Sequence, residues 1–178
     1  MPDEPNSTAP RIVLIGMRGA GKSTLGRALA ERLSRPFVDI DELIGELAGR
    51  PADDVLARDG EPAFRALEER ALRLAAERAG AVVATGGGSV LHADAFASLA
   101  RGARVAWLDA PPDVLLARAS AHPRPPLTNL PPLDEIRAVL AHRAPLYRAA
   151  ADFIIQVGPG APDPILALLS TLQEKADP

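Results

Sequence analysis

Three glycines, a lysine and a serine are spaced through eight residues, Gly16-Met17-Arg18-Gly19-Ala20-Gly21-Lys22-Ser23. The stretch fits G-x-x-x-x-G-K-[ST] at every fixed position, and these residue types can cradle a polyphosphate. Glycines let backbone N–H groups converge on phosphate oxygens without Cβ clashes. Lys22 supplies a mobile charge for the β and γ phosphates, and the Ser23 hydroxyl is placed to ligate magnesium. Arg18, Gly19, Ala20, Gly21 and Thr24 complete the candidate nucleotide-binding set in this stretch. Only two of the 20 basic residues are lysines, Lys22 and Lys175. Everywhere else the chain uses arginine, so a lysine at this position is hard to read as incidental.

Two carboxylates follow, Asp39 and Asp41. On a strand they would share a face and point at one site. The competing reading makes Asp41 a helix N-cap and leaves Asp39 in solvent. A phosphate loop nearby, with magnesium expected, favours the first. Arg65 lies four residues after Glu61 and four before Glu69, the spacing of surface ion pairs on a helix. Gly86, Gly87 and Gly88 follow an apolar run directly, which invites close approach of a ligand to the backbone. Residues 122–132 hold five prolines and a single cation, Arg124. That composition suits a closing lid. His92, His122 and His142 show no metal-ligand spacing and read as surface or packing residues.

Alternating elements must position these groups. The apolar run 12–15 reads as a buried strand entering the phosphate loop. Residues 24–33 read as the helix leaving it, with Leu25, Leu29 and Leu33 on one face. Further strands are expected at 36–38, 81–85, 105–108 and 152–157. Helices are expected at 42–47, 53–58, 61–78, 93–100, 113–120, 133–150 and 164–172, with Asp59-Gly60 ending one and Pro145 starting a new turn or kinking another. Strands alternating with helices imply a three-layer α/β/α fold around a five-stranded parallel sheet. The first strand should be central.

The bulk properties narrow the function classes. A net charge of −3 exerts no general pull on nucleic acid or acidic membranes. Without cysteine there is no disulfide framework, thiolate zinc site or thiol nucleophile. Residues 1–10 are polar and acidic, unlike a signal peptide, and read as a disordered arm. No apolar run approaches the roughly 18 residues of a membrane span. One cytoplasmic domain over residues 11–173 is expected, with a tail at 174–178 and no nucleic-acid or membrane partner.

Taken in order, the motifs resemble those of the shikimate kinases, within the nucleoside-monophosphate-kinase-like P-loop proteins. The match runs over residues 11–157. It comprises the phosphate loop at 16–23, Asp39-Ile40-Asp41, Asp59-Gly60-Glu61-Pro62-Ala63-Phe64-Arg65, Thr85-Gly86-Gly87-Gly88, Arg124, and Arg143-Ala144-Pro145-Leu146-Tyr147-Arg148. The resemblance implies a P-loop kinase fold with strand order 2-3-1-4-5 and a lid. It implies transfer of the ATP γ-phosphate to the 3-hydroxyl of shikimate, with magnesium, by a monomer. Carried over by position, Asp41 would bind shikimate hydroxyls and take a proton, and Asp39 with Ser23 would hold magnesium. Arg65 and Arg143 would grip the substrate carboxylate beside Gly86, Gly87 and Gly88. Arg124 would close onto the phosphates and Arg118 would lie against adenine. Family members often carry a basic residue in the loop after the fifth strand. Here that loop, residues 158–162, offers only apolar walls.

Rival classes are weaker. A kinase for another polyol acid, such as gluconate, has less need of Arg65, the triple glycine and Arg143 together. A GTPase would need a base-recognition lysine, and none lies between positions 22 and 175. A regulatory domain of kinase ancestry would be expected to have lost Lys22 or Asp41.

Overall fold

The computed structural model describes residues 9–174 other than 121–125 and 127. The elements run β1 (Ile12–Ile15), α1 (Lys22–Arg32), β2 (Phe37–Asp39), α2 (Ile40–Ala48), α3 (Ala52–Ala76), β3 (Val82–Ala84), α4 (Ala93–Ala100), β4 (Arg104–Asp109), α5 (Pro112–Ala119), α6 (Pro132–Ala150), β5 (Phe153–Gln156) and α7 (Pro164–Glu174), with a 3₁₀ turn at Ser89–Leu91 before α4. All strands pair in parallel in the order β2-β3-β1-β4-β5. The phosphate-loop strand is therefore central, as expected. Ile12 aligns with Val82 on one side and Arg104 on the other.

Burial follows from this topology. β1 is apolar at every position and buried at every position, because helices cover both faces of a parallel sheet. Right-handed crossovers that run in opposite directions along the sheet put their helices on opposite faces, and the β1-to-β2 crossover runs opposite to the later ones. Accordingly α1 packs with α7, whereas α3 packs with α4 and α6 with β4. Among the described residues, no helix is long and apolar enough to cross a membrane.

Two local outcomes differ from the sequence reading, at Asp41 and at Pro145, and the one at Gly60 agrees with it. β2 ends at Asp39 and α2 begins at once, so Asp41 sits in the first turn of a helix rather than on a strand. The helices expected at 53–58 and 61–78 are both present within α3, separated as expected by a kink at Gly60, which has φ 82° and ψ 176°. Pro145 is carried inside α6 without breaking it. Its missing N–H orphans the Ala141 carbonyl, but that residue is exposed and water can satisfy the group. The expected arm at 1–10, the lid at 122–132 and the tail at 174–178 fall partly outside the described residues, and Arg124 and Lys175 fall wholly outside.

Candidate active site

The phosphate loop joins β1 to α1. Gly21, immediately before the helix, has φ 92° and no side chain to cap the helix. A Cβ there would be strained, and a capping side chain would use up N–H groups that an anion can take instead. The first turn of α1, Lys22, Ser23 and Thr24, thus presents its donors and the positive end of its dipole. Lys22 is only 8% exposed. Its ammonium donates to the Gly16 and Met17 carbonyls, both at 2.9 Å, and so curls back over the loop. On the other side, the exposed Arg118 of α5 reaches the Gly19 carbonyl at 3.4 Å.

The two aspartates separate into different roles. Asp39, 8% exposed, caps α2 by accepting from the Asp41 backbone N–H at 2.9 Å. This reverses the capping alternative read from the sequence: Asp39 is the cap and is buried, and Asp41 follows it half-buried. Burial pushes the Asp39 carboxyl above its ordinary value, a hydrogen bond from Ser23 pulls it back, and the Asp41 charge raises it further. A buried carboxylate beside a hydroxyl and another carboxylate is short of positive charge. Magnesium fits this donor set, because it takes few protein ligands and fills the rest with water and phosphate oxygens. No group of three or more His, Cys, Asp or Glu among the described residues forms a self-sufficient metal cage.

The triple glycine has a steric cause. A Cβ on Gly86 would lie 2.4 Å from Glu68 Oε1, and one on Gly88 would lie 2.3 Å from Arg65 Nη1. Neither glycine needs a left-handed backbone. They leave room for a buried ion pair carried by α3. Glu68, 1% exposed, accepts from Arg65 Nη1 at 2.6 Å and from the Ser89 hydroxyl at 2.9 Å. Gly87 packs instead on the phosphate loop, where an added Cβ would stand 3.2 Å from the Arg18 nitrogen.

Arg65 therefore has two sides. Nη1 is tied to buried Glu68, while Nη2 and Nε reach exposed Glu61 at 3.0 and 3.2 Å. Burial lowers its affinity for the proton, but Glu68 and Glu61 outweigh that and hold the pKa above the ordinary guanidinium value. The expected helix pair with Glu61 is present. Glu69 instead pairs with Arg73. Arg143 of α6 and Arg65 both line a cavity of about 340 Å³, which Arg18 and the three glycines also line. Lys22, Ser23, Asp39 and Asp41 do not line this cavity.

Several residues escaped the sequence reading. Glu68 falls in the inner stripe of α3 with Phe64, Ala71, Leu72 and Ala75, and an acid in an apolar stripe was a visible signal. Tyr147, fully buried, donates its hydroxyl to the Gly87 carbonyl and touches Met17 Sδ at 3.7 Å. Burial pushes its pKa up to about 12 against the opposing pull of Arg143. His92, read as a surface or packing residue, is a packing one, and its Nε2 lies 3.0 Å from Glu68 Oε2.

The comparisons agree with this geometry. The family model described as shikimate kinase matches residues 18–172. The chain is 42% identical over 170 residues to the shikimate kinase of Symbiobacterium thermophilum, covering 93% of this chain and 98% of that one. It is 46% identical over 149 residues to that of Oleidesulfovibrio alaskensis, covering 82% and 87%. The solved shikimate kinase of Acinetobacter baumannii in complex with shikimate superposes with a TM-score of 0.88 at 34% identity, over 97% of each chain. With its phosphate loop, strand order and paired arginines in place, the chain belongs to the shikimate kinase family.

Proposed function

We propose that the chain transfers the γ-phosphate of ATP to the 3-hydroxyl of shikimate, as a cytoplasmic monomer. The observation that carries the reading is the placement of Arg65 and Arg143 on one cavity that begins at the phosphate loop. Phosphoryl transfer asks the protein mainly for positioning and charge stabilisation. Gly87 supplies the positioning, because it packs on Arg18 while its carbonyl is held by Tyr147.

ATP phosphates take the N–H groups of the loop and of the start of α1. Lys22 turns from the Gly16 and Met17 carbonyls to the β and γ phosphates. By the family resemblance Arg118 would lie against adenine, and Arg124, outside the described residues, would serve the phosphates. Ser23 and Asp39 would hold magnesium, which neutralises charge on the phosphates. The substrate carboxylate displaces Glu61 from the outer side of Arg65, while Glu68 keeps the inner side fixed. Forked guanidinium groups suit a planar carboxylate. Asp41 orients the acceptor hydroxyl and accepts its proton.

A coupled assay of ADP release with shikimate, gluconate or no acceptor tests the proposal. Release should depend on shikimate. Equal rates with gluconate, or with no acceptor, would overturn it.

A further inference from the structure

The buried carboxylate of Glu68 gathers three donors from three parts of the chain. Arg65 comes from its own helix, Ser89 from the 3₁₀ turn and His92 from the residue before α4. A carboxylate can only accept, so His92 presents a protonated Nε2 to it. Arg65 Nη1 and His92 Nε2 share one oxygen, Oε2, and Ser89 holds the other. The His92 side chain is 13% exposed, against 23% for Arg65. Its backbone serves the helix separately, because the His92 carbonyl accepts the first α4 bond from Phe96 at 2.8 Å. A change of side chain therefore leaves the start of α4 intact.

We propose that His92 is a positioning residue for the carboxylate clamp, acting on substrate through Glu68 and Arg65. This rests on the proposed function for the identity of the substrate. A carboxylate held at both oxygens has one orientation, and its Arg65 partner then keeps one as well. Without the His92 donor, Oε2 loses the group that opposes the pull of Arg65. The acid can follow the guanidinium, and Arg65 meets the cavity in more than one arrangement. The cost falls on binding of the acidic substrate and not on ATP, because Arg65, through which His92 acts, lines the cavity that Lys22 and Ser23 do not line.

The test compares wild type with His92→Leu and His92→Gln. Gln can donate from a similar reach and should restore the contact. His92→Leu should raise KM for shikimate roughly tenfold, the size expected on losing a hydrogen bond to a charged group. The kcat value and KM for ATP should stay within about twofold, and His92→Gln should recover most of the loss. In an Arg65→Ala background His92→Leu should add nothing, since it acts through that residue. An unchanged shikimate KM in His92→Leu would overturn the proposal, as would equal shifts in both substrates or an additive double variant. Nitrogen NMR of the Arg65 guanidinium, assigned with Arg65→Lys, gives a readout free of substrate. Its Nη1 protons, which Glu68 holds, should be slow to exchange in wild type and fast in His92→Leu. An unaltered signal would overturn the proposal. Absence of shikimate turnover in wild type would instead sink the functional reading and leave the NMR test standing.

Discussion

The Tyr147 hydroxyl donates to the carbonyl of Gly87, a residue 60 positions earlier in the chain. This single bond ties α6, which carries Arg143, to the loop between β3 and α4 and, through Met17, to the phosphate loop. Donor and acceptor halves of the site therefore share one buried fastening. Tyr147→Phe keeps the ring and leaves the Gly87 carbonyl unpaired, a loss of about 1–3 kcal/mol. Thermal melting should show the drop, and KM for shikimate should rise. Burial raises the Tyr147 pKa from near 10 to about 12. Its stabilising contribution is thus complete below pH about 10 and disappears as pH rises to about 12. Wild type and Tyr147→Phe should converge in stability across that window, and parallel curves would show that the hydroxyl contributes nothing there.

Arg65 and Arg143 should behave as a coupled pair. Each change to Ala removes a charge-assisted contact of about 1.5–3 kcal/mol, roughly ten- to hundredfold in kcat/KM. The double variant should depart from the sum of the singles, because both grip one group. An Arg65→Ala enzyme with unaltered kcat/KM would reduce Arg65 to its helix pair with Glu61, worth a few tenths of a kcal/mol.

Asp41→Asn tests the acid–base role. The backbone N–H of residue 41, which Asp39 uses as its capping partner, survives the change. Stability should hold while kcat falls by about 10²–10⁴. A change confined to KM would make Asp41 a binding residue only.

Asp39 predicts a link between pH, magnesium and stability. Its raised pKa means that the folded state binds a proton more tightly than the unfolded chain does. Apo stability should therefore fall as pH rises from the ordinary carboxylate value through the raised one. Magnesium with nucleotide should stabilise more above that window than below it. Asp39→Asn should flatten the apo pH profile and remove the magnesium response. A wild-type melting temperature indifferent to magnesium at about pH 8, well above the ordinary carboxylate range, would rule out the metal role.

What could be read in the sequence was local. The phosphate loop, the buried β1 and the break at Gly60 each depend on neighbours within a few residues. The Asp39–Asp41 boundary was misplaced because Ile40, apolar and fully buried, continues a strand pattern as well as it begins a helix. The reason for Gly86 and Gly88 lay beyond local reading. Their missing side chains answer to Glu68 and Arg65, on another element far back along the chain. The partner of His92, which the sequence left as a surface or packing residue, was hidden for the same reason, since it is set by how α3 packs on α4.

Scarcity of lysine turns the phosphate loop into its own reporter. Within the described residues, a protease that cuts only after lysine finds one bond, between Lys22 and Ser23. That bond lies in the first turn of α1, with the lysine side chain buried and tied to two carbonyls. Cleavage therefore requires α1 to unravel from its N-terminal end, so the cutting rate counts such openings. Nucleotide that fills the loop should slow digestion in proportion to its occupancy, and a simple gel would then serve as a binding isotherm.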